Sequence, residues 1–131
     1  MERTLLLAWA AGFIDGEGHI GIVRRGNSHT VRLAATNTRR ASIDRLVFLF
    51  GGGAYEYRGH FKWVKEGRSC VTVLEELLPF FTLKGSEAHV ALELMSGIPT
   101  WGNRYSRPSE AEILRREGLR ERLKALHRLR G

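Results

Sequence analysis

The stretch from Leu5 to Gly18, LLLAWAAGFIDGEG, constrains this chain more than any other. From Leu5 to Ile14 every residue is apolar or glycine, about three helical turns with no polar stripe. A helix on the surface of an ordinary domain carries such a stripe, so one that is apolar all round is expected to be buried on more than one side. One side can face the core of its own domain. In a chain of 131 residues the other is expected to face a helix from a partner. Ala8 and Gly12 stand one turn apart, and small residues at that spacing let two backbones approach closely. The run is too short to span a bilayer.

Asp15 and Glu17 close the run, interleaved with Gly16 and Gly18. A helix C-terminus carries partial negative charge, which disfavours carboxylates there by a few tenths to about 1 kcal/mol. A divalent cation would compensate for two acids in that position, and the glycines would let backbone and ion come close. The plainer alternative is that the glycines merely end the helix and the acids are solvated.

The order of these residues goes further. Ala10 to Gly18, AAGFIDGEG, resembles the nine-residue motif that names the LAGLIDADG homing endonucleases. It matches at Ala11, Gly12, Ile14, Asp15 and Gly18, with Ala10 and Phe13 in place of Leu, Gly16 in place of Ala and Glu17 in place of Asp. The motif occurs once, and single-motif members of that family act as homodimers whose motif helices pack at the two-fold axis. The resemblance therefore implies an interface built on Ala8, Ala11, Gly12 and Asp15. It implies that Glu17, with Gly16 beside it, holds Mg2+ or another divalent cation such as Mn2+, while Asp15 caps and orients the turn.

Composition sets bounds on this reading. Lys and Arg total 21 against 14 Asp and Glu, a net charge of +7 with a pI near 10.3. Such a balance points to a polyanionic partner, nucleic acid before membrane. One cysteine, Cys70, excludes an intramolecular disulfide and a zinc cluster built on several thiolates; beside Val71 and Val73 it reads as a small core residue. The charged start is followed by an apolar run that ends in DGEG rather than in a small-residue cleavage site, so the chain reads as intracellular and soluble, with the compartment left open.

Beyond the motif, His19 to Arg25 and His29 to Asn37 alternate as two strands across Gly26-Asn27-Ser28. Ile20, Ile22, Val31, Leu33 and Ala35 are expected inward. Arg24, Arg25, Asn27, Thr30 and Arg32 are candidate contacts to DNA, where Arg and Asn make bidentate contacts with guanine and adenine edges; the alternative is a solvated sheet face. Arg40 to Phe50 is amphipathic and ends at Gly51-Gly52-Gly53, which lacks the ending of a phosphate loop. A second hairpin, Ala54 to Arg58 and Phe61 to Glu66 across Gly59-His60, adds Arg58, Lys62 and Lys65. Apolar residues on both of its faces leave open which of Lys62 and Lys65 points outward. Helices are expected over Ser69 to Phe81 and Ser86 to Met95.

Between those last two helices, Pro79-Phe80-Phe81-Thr82-Leu83-Lys84 resembles a Pro-Phe/Tyr-Leu-x-x-Lys segment of the same family, which makes Lys84 a second catalytic candidate. The resemblance also places Asn37 where the family has a polar residue that positions water, and Arg39 or Arg40 where it has a basic pocket residue. Residues 98–108 read as a linker. Ser109-Glu110-Ala111-Glu112 fits a capping box, so a final helix should run to about Arg130. Its arginines either touch phosphates or, balanced by Glu110, Glu112, Glu117 and Glu121, belong to a solvated packing helix.

The expected fold is α+β, an αββαββα core over residues 1–97 with an antiparallel DNA-binding sheet; residues 98–131 form the linker and an extra helix of the same domain. The expected function is cleavage of both strands of a long, pseudo-palindromic DNA site by a metal-dependent homodimer. An RNA-binding intron maturase and a catalytically inactive DNA-binding regulator are the alternatives. Intron RNA is thus a further candidate partner; a membrane is not.

Overall fold

The computed structural model describes residues 2–100 and 107–130. Its elements run α1 (Arg3–Glu17), β1 (Gly18–Arg25), β2 (Ser28–Asn37), α2 (Arg40–Phe50), β3 (Gly53–Tyr57), β4 (His60–Glu66), α3 (Cys70–Leu77), a 3-10 turn (Leu78–Phe80), α4 (Gly85–Ser96) and α5 (Glu110–Arg130). The strands form one antiparallel sheet in the order β1-β2-β4-β3. The αββαββα order is that expected, followed by α4 and the additional α5. Part of the expected linker, residues 101–106, lies outside the described residues.

Helices cover one face of the sheet. Ile20, Ile22, Val31, Leu33 and Ala35 point into that layer and are buried with Leu7, Ala10, Ala11 and Ile14 of α1. Their two-residue alternation follows from the pleat, which sends successive side chains to opposite faces. The register of β4 is now fixed. Ala35 pairs with Trp63 and Thr36 with Lys62, and Trp63 is fully buried. Lys62 therefore stands on the open face, whereas Lys65, opposite Leu33, belongs to the helix-covered face.

Most boundaries shift by a residue from the sequence reading, and two of the differences have a local physical cause. The second hairpin turns at Arg58-Gly59, with φ of 52° and 80°, not at Gly59-His60. Both central residues have positive φ, as a two-residue hairpin turn that follows the strand twist requires. The expected helix Ser69 to Phe81 is α3 followed by a 3-10 turn, because Pro79 has no N–H with which to continue the helical ladder. The last helix starts as its capping box foretold: Ser109 Oγ accepts from the Glu112 N–H at 3.1 Å.

The crossing from α2 to β3 is a close approach of backbone to core. Gly51 and Gly52 have φ of 73° and 92°, and the Trp63 indole N–H donates to the Gly51 carbonyl at 2.8 Å. A Cβ on Gly52 would stand 2.7 Å from the Val64 carbonyl oxygen and 2.9 Å from Trp63 Nε1, whereas one on Gly51 would meet only Lys65 Nζ at 3.6 Å. Both alanine substitutions should incur the backbone cost of about 1–3 kcal/mol. Gly52→Ala should destabilise clearly more than Gly51→Ala in urea unfolding, because only it also collides with backbone and indole. Equal losses would place the strain in the dihedral angles alone.

Candidate active site

Helix α1 has two faces with different fates. Leu7, Ala10, Ala11, Ile14 and Asp15 are buried against the chain itself, while Leu5, Ala8 and Gly12 are exposed. At 3.6 residues per turn, positions 5, 8 and 12 form one stripe and 7, 11 and 14 another. Of the four residues expected at an interface, Ala8 and Gly12 thus lie on the uncovered stripe. Ala11 and Asp15, neighbours of that stripe, are buried within the single chain.

Asp15 holds the site together from inside. Its carboxylate accepts hydrogen bonds from the Thr82 N–H (2.8 Å), the Thr82 hydroxyl (3.0 Å), the Leu83 N–H (3.2 Å) and the Lys84 N–H (2.9 Å). The Lys84 ammonium returns a bond of 2.6 Å to the Asp15 carbonyl. Burial alone would push this carboxyl up, but the hydrogen bonds from Thr82, Lys84 and Leu83 outweigh it and hold the carboxyl below its ordinary value of 3.8. An acid in the last turn of a helix is disfavoured by the helix dipole; here a bend rich in N–H donors offsets that penalty, and a lysine neutralises the helix end. Asp15 therefore orients a turn, though the turn is the one leading into α4.

Glu17 is the last residue of α1 rather than a residue beyond it, and Gly18 follows as the cap. A Cβ on Gly18 would lie 2.8 Å from the backbone of Ile14, so only glycine lets the chain leave the helix directly into β1. Glu17 is exposed and opens on a cleft of about 400 Å³ over the open face of the sheet, shared with His19, Arg32, Thr36 and Lys62. It is the one carboxylate lining that cleft. Burial, followed by the positive groups His127, Lys84, Arg32 and Lys62, pushes the His19 imidazole down from 6.5. The Lys84 ammonium, bound to the Asp15 carbonyl, stands at the same helix end as Glu17.

Other sequence candidates divide by face. Arg25 and Thr30 share the open face with Arg32, being paired as Arg25–Ser28, Val23–Thr30 and Gly21–Arg32; Arg25 is held by Glu66 at 2.8 Å. Asn27 and Arg58 sit at the two hairpin turns. Arg24 stands on the opposite face and binds Glu117 of α5 at 3.1 Å, and Lys65 lies on that face too, so neither extends the open surface. Asn37 and Arg40 are not among the residues lining the Glu17 cleft. The Asn37 side-chain oxygen accepts from the Arg39 N–H at 2.8 Å at the start of α2, and Arg40 pairs with Asp44 at 3.4 Å.

Three residues that sequence reasoning passed over belong here: Thr82, His19 and His127. The His127 Nε2–H donates to the Ile20 carbonyl at 2.9 Å, and its ring lies 4.5 Å from that of His19. His19 stood directly after the motif, which was the available signal.

The donor set can be tested for a cation. A carboxylate suits a hard divalent ion, but among the described residues no group of three or more Asp, Glu, His or Cys could hold one. A lone exposed carboxylate such as Glu17 fits a hard ion that takes its remaining ligands from water and substrate oxygens.

An antiparallel sheet backed by helices, with one acidic motif helix ending over a basic open face, is the architecture of the LAGLIDADG homing endonucleases, and this chain belongs to that family, in its single-motif form. It is 33% identical over 107 residues to DNA endonuclease I-CvuI of Chlorella vulgaris, a match covering 72% of this chain and 66% of that protein. The chain thus spans about two thirds of the curated relative's length. A structure of I-CvuI in complex with its target in the presence of calcium superposes with a TM-score of 0.80 at 25% identity, covering 94% of this chain and 82% of that one. The archaeal intron-encoded homing endonuclease I-Vdi141I, complexed with DNA, gives a TM-score of 0.79 over 95% of this chain and 86% of that one; at 15% identity it speaks for the fold alone. No family model matches the chain.

The Asp15 cluster yields a direct test. Asp15→Asn keeps the shape but turns NH2 donors toward donors, and should cost about 3 kcal/mol of stability. Because the folded-state value is depressed, the parent's advantage should be complete above about pH 4 and vanish as pH falls through the lowered value. Unfolding titrations of both proteins from pH 7 to pH 3 measure this. A variant as stable as the parent that loses only self-association would return Asp15 to an interface.

Proposed function

We propose that two copies of this chain pair through the uncovered stripe of α1, and that the dimer cuts both strands of a long, pseudo-palindromic DNA site in a reaction dependent on a divalent cation, magnesium or a similar ion. One observation carries the reading: the stripe of Leu5, Ala8 and Gly12 leaves one side of α1 exposed, and Glu17, exposed at the end of the same helix, opens directly on the basic cleft. I-CvuI has been crystallised with DNA in the presence of calcium and of magnesium, which supports both the partner and the class of ion.

In this reading the open face carries Arg25, Thr30, Arg32 and Lys62 against the duplex, the first three toward base edges and Lys62 toward a phosphate. Glu17 from each protomer would hold the ion, which when bound supplies charge stabilisation to the scissile phosphate and lowers the pKa of water. The chain's own residues do the rest. Lys84 places a positive charge at the end of α1, near the cleft; Asp15 fixes that lysine and its turn; His19 and Arg32 line the wall against which the phosphate lies. No protein nucleophile is required. Asn37 and Arg40 stand outside the Glu17 cleft, at the start of α2, where Asn37 accepts from the Arg39 N–H and Arg40 pairs with Asp44.

Glu17→Gln keeps size and hydrogen bonding while removing charge. Cleavage of a site selected from a random DNA library should fall by on the order of 100-fold or more in magnesium, while gel-shift affinity in calcium persists. Lys84→Met should slow cleavage less, about tenfold, because that lysine tunes charge without holding the ion. Near-parent cleavage by Glu17→Gln would remove Glu17 from the reaction.

Assembly has its own test. A Cβ at Gly12 meets nothing within 4 Å inside the chain, and a helical Gly→Leu change raises helix propensity by somewhat under 1 kcal/mol. Gly12→Leu should therefore leave the protomer at least as stable while moving sedimentation from dimer to monomer. A fully dimeric Gly12→Leu protein would put the interface elsewhere.

A further inference from the structure

The basic residues of α5 fall into two groups with different local partners. On one side, Glu112 binds Arg115 at 2.8 Å and Arg116 at 2.9 Å, and Glu93 binds Arg122 at 3.3 Å. Two of these three arginines share at close range a carboxylate whose pKa, drawn down chiefly by the Arg115 hydrogen bond, is about 2. On the other side, Arg120 and Lys124 stand one turn apart with His127 on the same stripe. Their acids hold them loosely, Glu117 at 3.4 Å from Arg120 and Glu121 at 3.5 Å from Lys124. Glu117 is moreover closer to two other groups, His29 at 2.7 Å and Arg24 at 3.1 Å. One carboxylate shared by that many basic groups leaves Arg120 with most of its charge.

These residues line a second cleft, about 250 Å³, between α5 and β1, together with His19, Gly21, Ile22 and Leu123. No acid lines it. Its wall is continuous with the Glu17 cleft, since His19, Gly21 and Ile22 line both. The hydrogen bond from His127 to the Ile20 carbonyl fixes α5 against the edge strand, so this basic stripe is held rigidly beside the site rather than waving in solvent.

We infer that the α5–β1 cleft seats a backbone phosphate of the same duplex, flanking the one that is cut, with Lys124 and Arg120 as its cationic partners and the His127 ring as its inner wall. The inference rests on the proposed DNA-cleaving function and adds a contact outside the sheet surface. Phosphate contacts made by such residues fix the position of the duplex without reading its sequence. The C-terminal helix thus locks the duplex over Glu17.

Salt dependence of binding provides the test. Equilibrium binding of the full chain to a selected site and to an unrelated duplex is measured in calcium over a series of salt concentrations. Each lost phosphate contact should lower the slope of log affinity against log salt by about 1. In the proposed dimer each substitution is present twice, so Lys124→Gln and Arg120→Gln should each lower the slope by about 2, weakening both duplexes by the same factor, and Lys124→Arg should restore the parent slope. Arg122→Gln, the same charge change on the Glu93 side, should leave the slope within error. Methylphosphonate substitution, one phosphate at a time, should weaken the parent at a flanking position where Lys124→Gln is indifferent. Slopes unchanged from the parent, equal to that of Arg122→Gln, or weakened on the selected site alone would overturn the inference. A parent protein that binds no duplex would overturn the proposed function with it, whereas a parent that binds and cleaves beside unaffected variants would sink the phosphate seat alone.

Discussion

The hydrogen bonds converging on Asp15 are the interaction on which the rest of the site depends. They tie the last turn of α1 to the bend before α4, two segments separated by 67 residues or more in the chain. Lys84 completes the tie by donating to the carbonyl of the same aspartate. Without those donors a buried carboxylate at the negative end of a helix would be destabilising. With them, Asp15 is fully engaged within the protomer, and the second acid, two residues on, is left to face outward. Two carboxylates in one short motif therefore take opposite roles through environment alone: the first fastens the fold, and the second meets the cleft.

The sheet divides its charges with similar economy. Strand alternation puts Arg25, Arg32 and Lys62 on the open face and Arg24 and Lys65 on the covered one. On the covered face Arg24 joins His29 and Arg120 around Glu117, so a residue adjacent to a candidate DNA contact instead anchors α5. On the open face, Glu66 holds Arg25 at 2.8 Å, and a base contact by Arg25 must break or share that exposed pair. Such a pair contributes little, on the order of 0–1 kcal/mol, so the exchange is easily reversed.

Much of this architecture was legible because its signals are local. The apolar run, the two alternating hairpins, the amphipathic spacing of Ile43, Leu46, Val47 and Phe50, and the Ser109 cap each follow from a few consecutive residues, and each element stands within a residue or two of its expected place. The register of β4 was not legible, since Phe61, Trp63 and Val64 offer apolar residues to both faces; only pairing with β2 selects one. The break at Pro79 was visible as a residue but not weighed against the apolar pattern around it. Within the site, Glu17 and Lys84 were found through a resemblance, and the structure places them at the same helix end. Ala11 and Asp15 share a helical face with Ala8 and Gly12 by spacing, and their burial comes from segments remote in sequence, for Asp15 the bend at Thr82 to Lys84, which no motif order could show. The approach of His127 to His19 and Ile20 spans 107 residues of sequence, beyond any local pattern.

The uncovered stripe and the single acid explain each other. A helix with an exposed face of Leu5, Ala8 and Gly12 is an uncovered packing surface, and in the proposed function the carboxylate at its end is half of a cation site. A two-fold axis close to that stripe would complete both at once, because an isologous contact repeats each pairing across the axis and brings residues near it close to their own copies. Gly12 leaves room for the close approach, and Glu17, at the end of the same helix, would be carried toward its twin. The basic faces of the two sheets would then continue one another on either side of the paired acids. A palindromic arrangement of protein surface calls for a palindromic ligand, and duplex DNA with inverted half-sites has that symmetry and the opposite charge. Under the proposed pairing, the motif helix would set the symmetry of the target as well as the place of the chemistry performed on it.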